Sequence, residues 1–131
     1  ARASGQAALM WLALAVAAVA AVGAVCRYVA DQVISHRHDG VFPRGTFVIN
    51  VVGSFLLGLT TGLATHHGLP VMAATIIGSG FCAGFTTFST WMWETIALSE
   101  TGALFEASLN VVGTLAVGLL AAGAGFWLAL V

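Results

Sequence analysis

Four uncharged, apolar runs set the outer limits of what this chain can become: Ala3 to Cys26, Thr46 to Thr65, Leu69 to Trp93 and Ala107 to Val131. Each is long enough for a helix to cross the hydrocarbon core of a bilayer, which takes about 20 residues. Together they use most of the 131 residues and leave no room for a soluble domain. The expectation is an all-α membrane protein with four transmembrane helices, one domain over residues 1–131, and the lipid bilayer as its immediate surroundings. Composition agrees: 7% of residues are charged, against roughly 25% in soluble domains. A net charge of −1 argues against nucleic acid as a partner. Arg2 followed by an apolar run resembles the start of a signal peptide, but the length of the run favours a true span. Cys26 and Cys82 lie inside apolar runs, which argues against a structural disulfide. Four short helices leave little space for a pore within one subunit, so a conducting form is expected to be an oligomer.

The third run cannot be a plain helix. Between Gly78 and Glu94 it reads GSGFCAGFTTFSTWMWE. Gly78, Gly80 and Gly84 each cost roughly 1 kcal/mol of helix propensity against alanine. Thr86, Thr87, Ser89 and Thr90 place four hydroxyls in five positions, and such hydroxyls compete with the backbone for hydrogen bonds. A third helix broken mid-membrane, near Ala83 to Thr87, is predicted. Irregular backbone at membrane depth survives only inside protein or beside a polar cavity. Its freed carbonyls suit cations, and half-helix N-termini suit anions. A continuous helix with small packing residues is the competing reading.

Spans two and four repeat one another. NVVGSFLLG from Asn50 matches NVVGTLAVG from Asn110, so each span carries an amide and a hydroxyl (Ser54 or Thr114) one turn apart on one face. Helix-to-helix hydrogen bonding would also explain the two asparagines. Gly53, Gly58 and Gly62 offer close-approach positions, the last two at small-xxx-small spacing. Most of the charge lies in a loop expected from Asp31 to Arg44, with Arg37, Asp39, His36 and His38. His36-x-His38 reads as solvated loop, since no third ligand stands near. Pro43-Arg44-Gly45-Thr46 reads as a turn and helix start, and His66-His67-Gly68 as an interfacial turn before Pro70. Arg27 reads either as an interfacial anchor beside Tyr28 or as a residue one turn inside. Glu94 and Glu100 mark an exit from the membrane. Arg2 on one side faces Arg27, Arg37 and Arg44 on the other, a weak orientation bias.

No Asp, Glu or Lys sits at membrane depth, which disfavours proton-coupled carriers. The spans offer donors instead: the Asn50 and Asn110 amides and the Ser54, Thr87, Ser89, Thr90 and Thr114 hydroxyls. Aromatic ring edges are electropositive, and Phe88 and Trp91, three apart, share a helical face. Donors and ring edges without a full positive charge suit a small anion. On spacing alone, Phe88 and Trp91 read first as packing and only second as pathway lining.

GFCAGFTTFSTWMWE, with GAVCRY, FPRGTFVINVVGSF and NVVGT, resembles the fluoride channel family of small four-helix proteins (Fluc, also called CrcB) over essentially the whole chain. The resemblance implies passive fluoride export through an antiparallel, dual-topology homodimer with two pores in the inner or plasma membrane. It implies a structural sodium ion held by the backbone carbonyls of Ala83 and Thr86. It places Phe88 and Trp91 at the aromatic pore positions, Asn50 as the pore asparagine and Arg27 as the arginine of span one. Glu94 matches the vestibule glutamate, and Ser89, Thr90 and Thr114 the polar track. The chain departs from the family at Ala83, usually glycine; at Trp91, usually phenylalanine; and at Asn110, often tyrosine. The flanking Thr87 and Thr90 hydroxyls favour an indole N–H of Trp91 pointing into the path.

Other classes fit less well. A small four-helix exporter of the multidrug-resistance type should carry a membrane-embedded glutamate in span one, and this chain has none. A structural helix-packing subunit explains the glycines but not TTFST. An enzyme lacks a nucleophile–base pair or a metal constellation.

Overall fold

The computed structural model describes residues 2–37 and 40–131, and the side chains of these apart from residues 2 and 3. His38 and Asp39 of the charged loop therefore lie outside the described residues. The chain is all-helical: α1 (Arg2–Ser35), α2 (Arg44–His66), α3 (Val71–Thr75), a π-helical segment (Ile76–Cys82), α4 (Ala83–Phe85), α5 (Ser89–Glu100) and α6 (Leu104–Leu128). The pieces from Val71 to Glu100 form one interrupted span, so four helical spans are long and apolar enough to cross a membrane.

The first span outruns its apolar sequence. The loop expected from Asp31 begins only after Ser35, because α1 continues through Arg27 and Asp31 for 34 residues. At 1.5 Å per residue this is about 50 Å of helix, more than the hydrocarbon core needs. Gly45, in the first turn of α2, lies against the Asp31 carboxylate, which Ser35 Oγ also reaches at 3.3 Å. A carboxylate at a helix N-terminus is favourably placed against the helix dipole.

Glycine decides how the spans pack. Added side-chain atoms at Gly58 and Gly62 would meet Ala122 and Phe126, and Gly118 faces Ser54. These contacts advance in step along both helices, so α2 and α6 run parallel at backbone-to-backbone distance, as small residues permit in lipid. Span one joins the third span in the same way: Gly80 faces Val16, and a Cβ on Gly84 would strike the Ala20 carbonyl. Two parallel pairs result, and the first half of the third span lies between α1 and α2.

The third span is interrupted within the predicted stretch from Ala83 to Thr87, towards its C-terminal end. Ala83 remains helical (φ −67°, ψ −37°), and the chain first extends at Thr86 (φ −79°, ψ 163°). Gly78 and Gly80 are absorbed by the π-helical turns, a feature not read from the sequence. The span resumes at Ser89 and stops at Gly102 (φ +82°). There Ala103 N–H reaches Leu98 O at 2.9 Å and Gly102 N–H reaches Ser99 O at 3.1 Å, a Schellman closure that favours glycine at the left-handed position.

Candidate functional site

The site grows from the interruption. Thr86 N–H still completes a helical bond to Cys82 O at 2.9 Å. Thr87 N–H does not continue the ladder: it turns to Asn50 Oδ1 at 2.9 Å, and Asn50 Nδ2 returns a bond to Thr87 O at 3.0 Å. Asn50 thus grips both polar groups of one peptide residue, and its amide orientation follows from the N–H it must accept. The Ala83 carbonyl loses the i+4 donor it would have in a continuous helix. Thr86 O is taken by Arg27 Nη1 at 3.1 Å. Arg27 is therefore a partner of the break itself rather than an anchor at the membrane surface. Gly53 makes the approach possible, since a Cβ there would collide with the Thr86 methyl.

Thr87 also starts the next helix. Its Oγ1 accepts Thr90 N–H at 3.2 Å, the three-residue reach of an N-cap side chain. The same hydroxyl lies 3.0 Å from Thr90 Oγ1 and 3.5 Å from Ser89 Oγ, both on exposed residues. The hydroxyl cluster anticipated from TTFST is a capped helix start.

A groove of about 590 Å³ opens between α2, the third span and α6. It brings together Asn50, Ala83, Thr86, Thr87, Phe88, Trp91 and Thr114. Ser54 lines it too, while Arg27, Ser89, Thr90, Glu94 and Asn110 lie outside its lining. Ser89 and Thr90 sit beside it, on Thr87. Glu94 lines a second cavity of about 350 Å³ with Pro43, Trp93 and Thr101. Glu94 Oε1 accepts Thr46 Oγ1–H at 2.9 Å, while Oε2 is buried with no partner. Thr46, 2% exposed, was not singled out from sequence, although it stands one turn before Asn50 on the same helical face.

The aromatic pair is real as a contact: the Phe88 and Trp91 rings lie 5.7 Å apart at 73°, edge to face. Their settings differ, with Phe88 70% exposed and Trp91 7%. The expected direction of the indole N–H is corrected. Nε1 points away from the groove and donates to Asn110 O at 2.9 Å. A buried indole N–H requires an acceptor, and the close approach of α5 to α6 supplies one. Asn110 itself is fully buried. Its Nδ2 donates to Thr95 Oγ1 at 2.9 Å and towards Trp91 O at 3.4 Å. The repeat that made Asn110 look like Asn50 does not give the two the same surroundings.

Among the described residues, no cluster of three or more His, Cys, Asp or Glu side chains could hold a metal ion. The groups that could hold a cation are backbone oxygens. Ala83 O has lost its helical donor, and Thr86 O keeps a second lone pair beside the Arg27 bond. Neutral carbonyl oxygens are hard ligands, suited to hard cations. Cys26 and Cys82 are both free thiols.

A protein-family model described as CrcB-like protein, Camphor Resistance (CrcB), matches residues 14–126. Similar proteins include the fluoride-specific ion channel FluC 1 of Streptomyces avermitilis, 48% identical over 116 residues that cover 88% of this chain and 94% of that protein. Another is the fluoride-specific ion channel FluC 1 of Leifsonia xyli, 48% identical over 115 residues, covering 88% and 84%. That of Rubrobacter xylanophilus is 46% identical over 114 residues, covering 87% and 89%.

Proposed function

This chain belongs to the CrcB-like protein family, and from that premise we propose that it is a fluoride-selective channel giving passive export across the cell membrane. Its relatives are named as ion channels and not as enzymes. The observation that carries the reading is the interrupted third span, held open by Asn50 beside a groove that contains Phe88.

Fluoride sheds its water only where donors replace it, because an unpaired ion in an apolar setting is very costly. Asn50 Nδ2 has two hydrogens; one holds Thr87 O, and the second is the donor offered to the anion. The exposed Phe88 ring contributes an electropositive edge, and the Thr90 and Ser89 hydroxyls continue a polar track towards Glu94. Among the described residues no Lys, Arg or His side chain lines the groove, and Arg27 reaches it only through its bond to Thr86 O. The track is completed by a second, antiparallel copy of the chain, which covers the groove and doubles the pathway.

The same pairing would bring Ala83 O and Thr86 O of each copy together as four oxygens for a structural sodium ion. A bound sodium would supply charge that fixes the two breaks to each other. The reading is tested by fluoride efflux from liposomes containing the purified chain, with chloride as the competing anion. Fluoride flux with no matching chloride flux is expected, and equal flux of the two would reject selectivity. Tracer sodium should not cross with fluoride; coupled sodium flux would remove the structural role.

A further inference from the structure

We infer that Asn110 serves the anion pathway only through Trp91, as a positioning residue that fixes the indole across the α5–α6 contact without touching the ion. The inference rests on the channel reading above for its meaning, and on local geometry for its evidence. Asn110 is 0% exposed. Its two amide hydrogens are directed to Thr95 Oγ1 and Trp91 O, and its Oδ1 faces the Thr114 hydroxyl at 3.5 Å. With both donors committed, nothing on this side chain is left to replace an ion's water.

The contacts form a closed circuit. Trp91 Nε1 donates to Asn110 O, and Asn110 Nδ2 reaches back to Trp91 O. Thr95 Oγ1 accepts from Asn110 and donates to Trp91 O at 2.8 Å. Each member is oriented by another, so the indole has one direction for its N–H and one tilt for its ring. That tilt is transmitted: Phe88, the exposed ring of the groove, rests edge to face on Trp91. The indole N–H is held by the main-chain carbonyl of Asn110, so the Asn110 amide acts on the ring indirectly. It ties α6 to Trp91 O and Thr95 Oγ1 and keeps that carbonyl at the indole, and without it Phe88 would lose the surface it leans on. The Thr114 hydroxyl, on a residue that lines the same groove, is turned towards Asn110 Oδ1 at 3.5 Å.

The test is a double-mutant cycle on the full chain in liposomes. Asn110→Leu keeps the branched shape and removes the amide. Trp91→Phe keeps a ring and removes the N–H that the Asn110 main-chain carbonyl accepts; Asn110→Leu leaves that carbonyl in place and removes only the amide that positions it. If the two act as one unit their effects are strongly non-additive: Asn110→Leu should lower fluoride efflux about tenfold alone and by less than about twofold in the Trp91→Phe background. An equal fold-loss in both backgrounds would overturn the inference. Thr95→Val, which takes away the acceptor for the Asn110 amide, serves as a second entry to the cycle if Asn110→Leu does not yield monodisperse protein; the same non-additivity with Trp91→Phe is expected.

A second readout does not depend on conduction. With Trp11, Trp93 and Trp127 replaced by phenylalanine, Trp91 is the sole tryptophan and can be excited selectively over Tyr28. Asn110→Leu should then red-shift its emission and raise its quenching by acrylamide. Unchanged emission and quenching would overturn the positioning role. A chain that conducts no fluoride yet shows the spectral change would reject the channel reading and leave the lock standing.

Discussion

Asn50 and Asn110 show how much one residue type depends on its neighbours. Both open the same NVVG sequence. Asn50 faces an extended peptide with a free N–H and C=O, while Asn110 faces an intact helix and a tryptophan. Asn50→Asp keeps the acceptor for Thr87 N–H but sets a carboxylate oxygen against Thr87 O, where an N–H now donates at 3.0 Å. Opposing two acceptors in a part-buried site should cost about 1–3 kcal/mol. It also removes the donor offered to the anion. The expected outcome is a folded protein of lower melting temperature with fluoride efflux abolished, read by liposome flux and size-exclusion chromatography. Wild-type flux in that variant would remove Asn50 from the pathway.

The break is a property of an element, and Thr87 is its hinge. Its backbone belongs to Asn50 and its hydroxyl caps α5 through Thr90 N–H. Thr87→Val preserves shape and β-branching but leaves the first turn of α5 uncapped, a loss of about 1 kcal/mol for a typical N-cap. Thr87→Ser restores the oxygen. Thermal unfolding in detergent should rank wild type and Thr87→Ser above Thr87→Val, with fluoride efflux in the same order; a Thr87→Val protein equal to wild type in both would show that the cap is idle. How far this could be read in advance follows from the same residues. Hydroxyls after glycine announced an interruption, because both weaken a helix locally. The position of the break depends on Gly53 admitting the Thr86 methyl and on Asn50 meeting Thr87, contacts between residues more than thirty apart that no local pattern encodes. Helix starts at Pro43 and Pro70 were legible because proline fixes its own backbone. The end of α1 was not, since Arg27 and Asp31 end the apolar run without ending the helix. The indole direction at Trp91 was misread because the flanking hydroxyls are local, whereas its acceptor lies on another helix.

At the scale of the whole molecule, orientation in the membrane is weakly encoded, and the structure weakens it further. The N-terminus, the turn at 67–70 and the C-terminus share one side of the four crossings; the loop at 36–43 and the turn at 101–103 share the other. Arg27 donates to Thr86 O, halfway along the third span, so it is no longer a loop charge. That leaves Arg37 and Arg44 against Arg2, and only Lys and Arg near the span ends set topology. Such a balance would let the chain insert both ways up, which the proposed antiparallel pair requires. Lysines appended after Val131 should bias insertion one way. Lysine at Gly40, where an added side chain meets nothing within 4 Å, should bias it the other way. Each biased chain alone should place its copies parallel and lose fluoride efflux, while the two co-expressed should pair head to tail and recover it. Efflux measured in cells carrying one or both chains decides the matter, with surface labelling of an added cysteine reporting orientation. A singly biased chain, shown by labelling to sit in one orientation and still conducting at the wild-type rate, would rule out the antiparallel assembly.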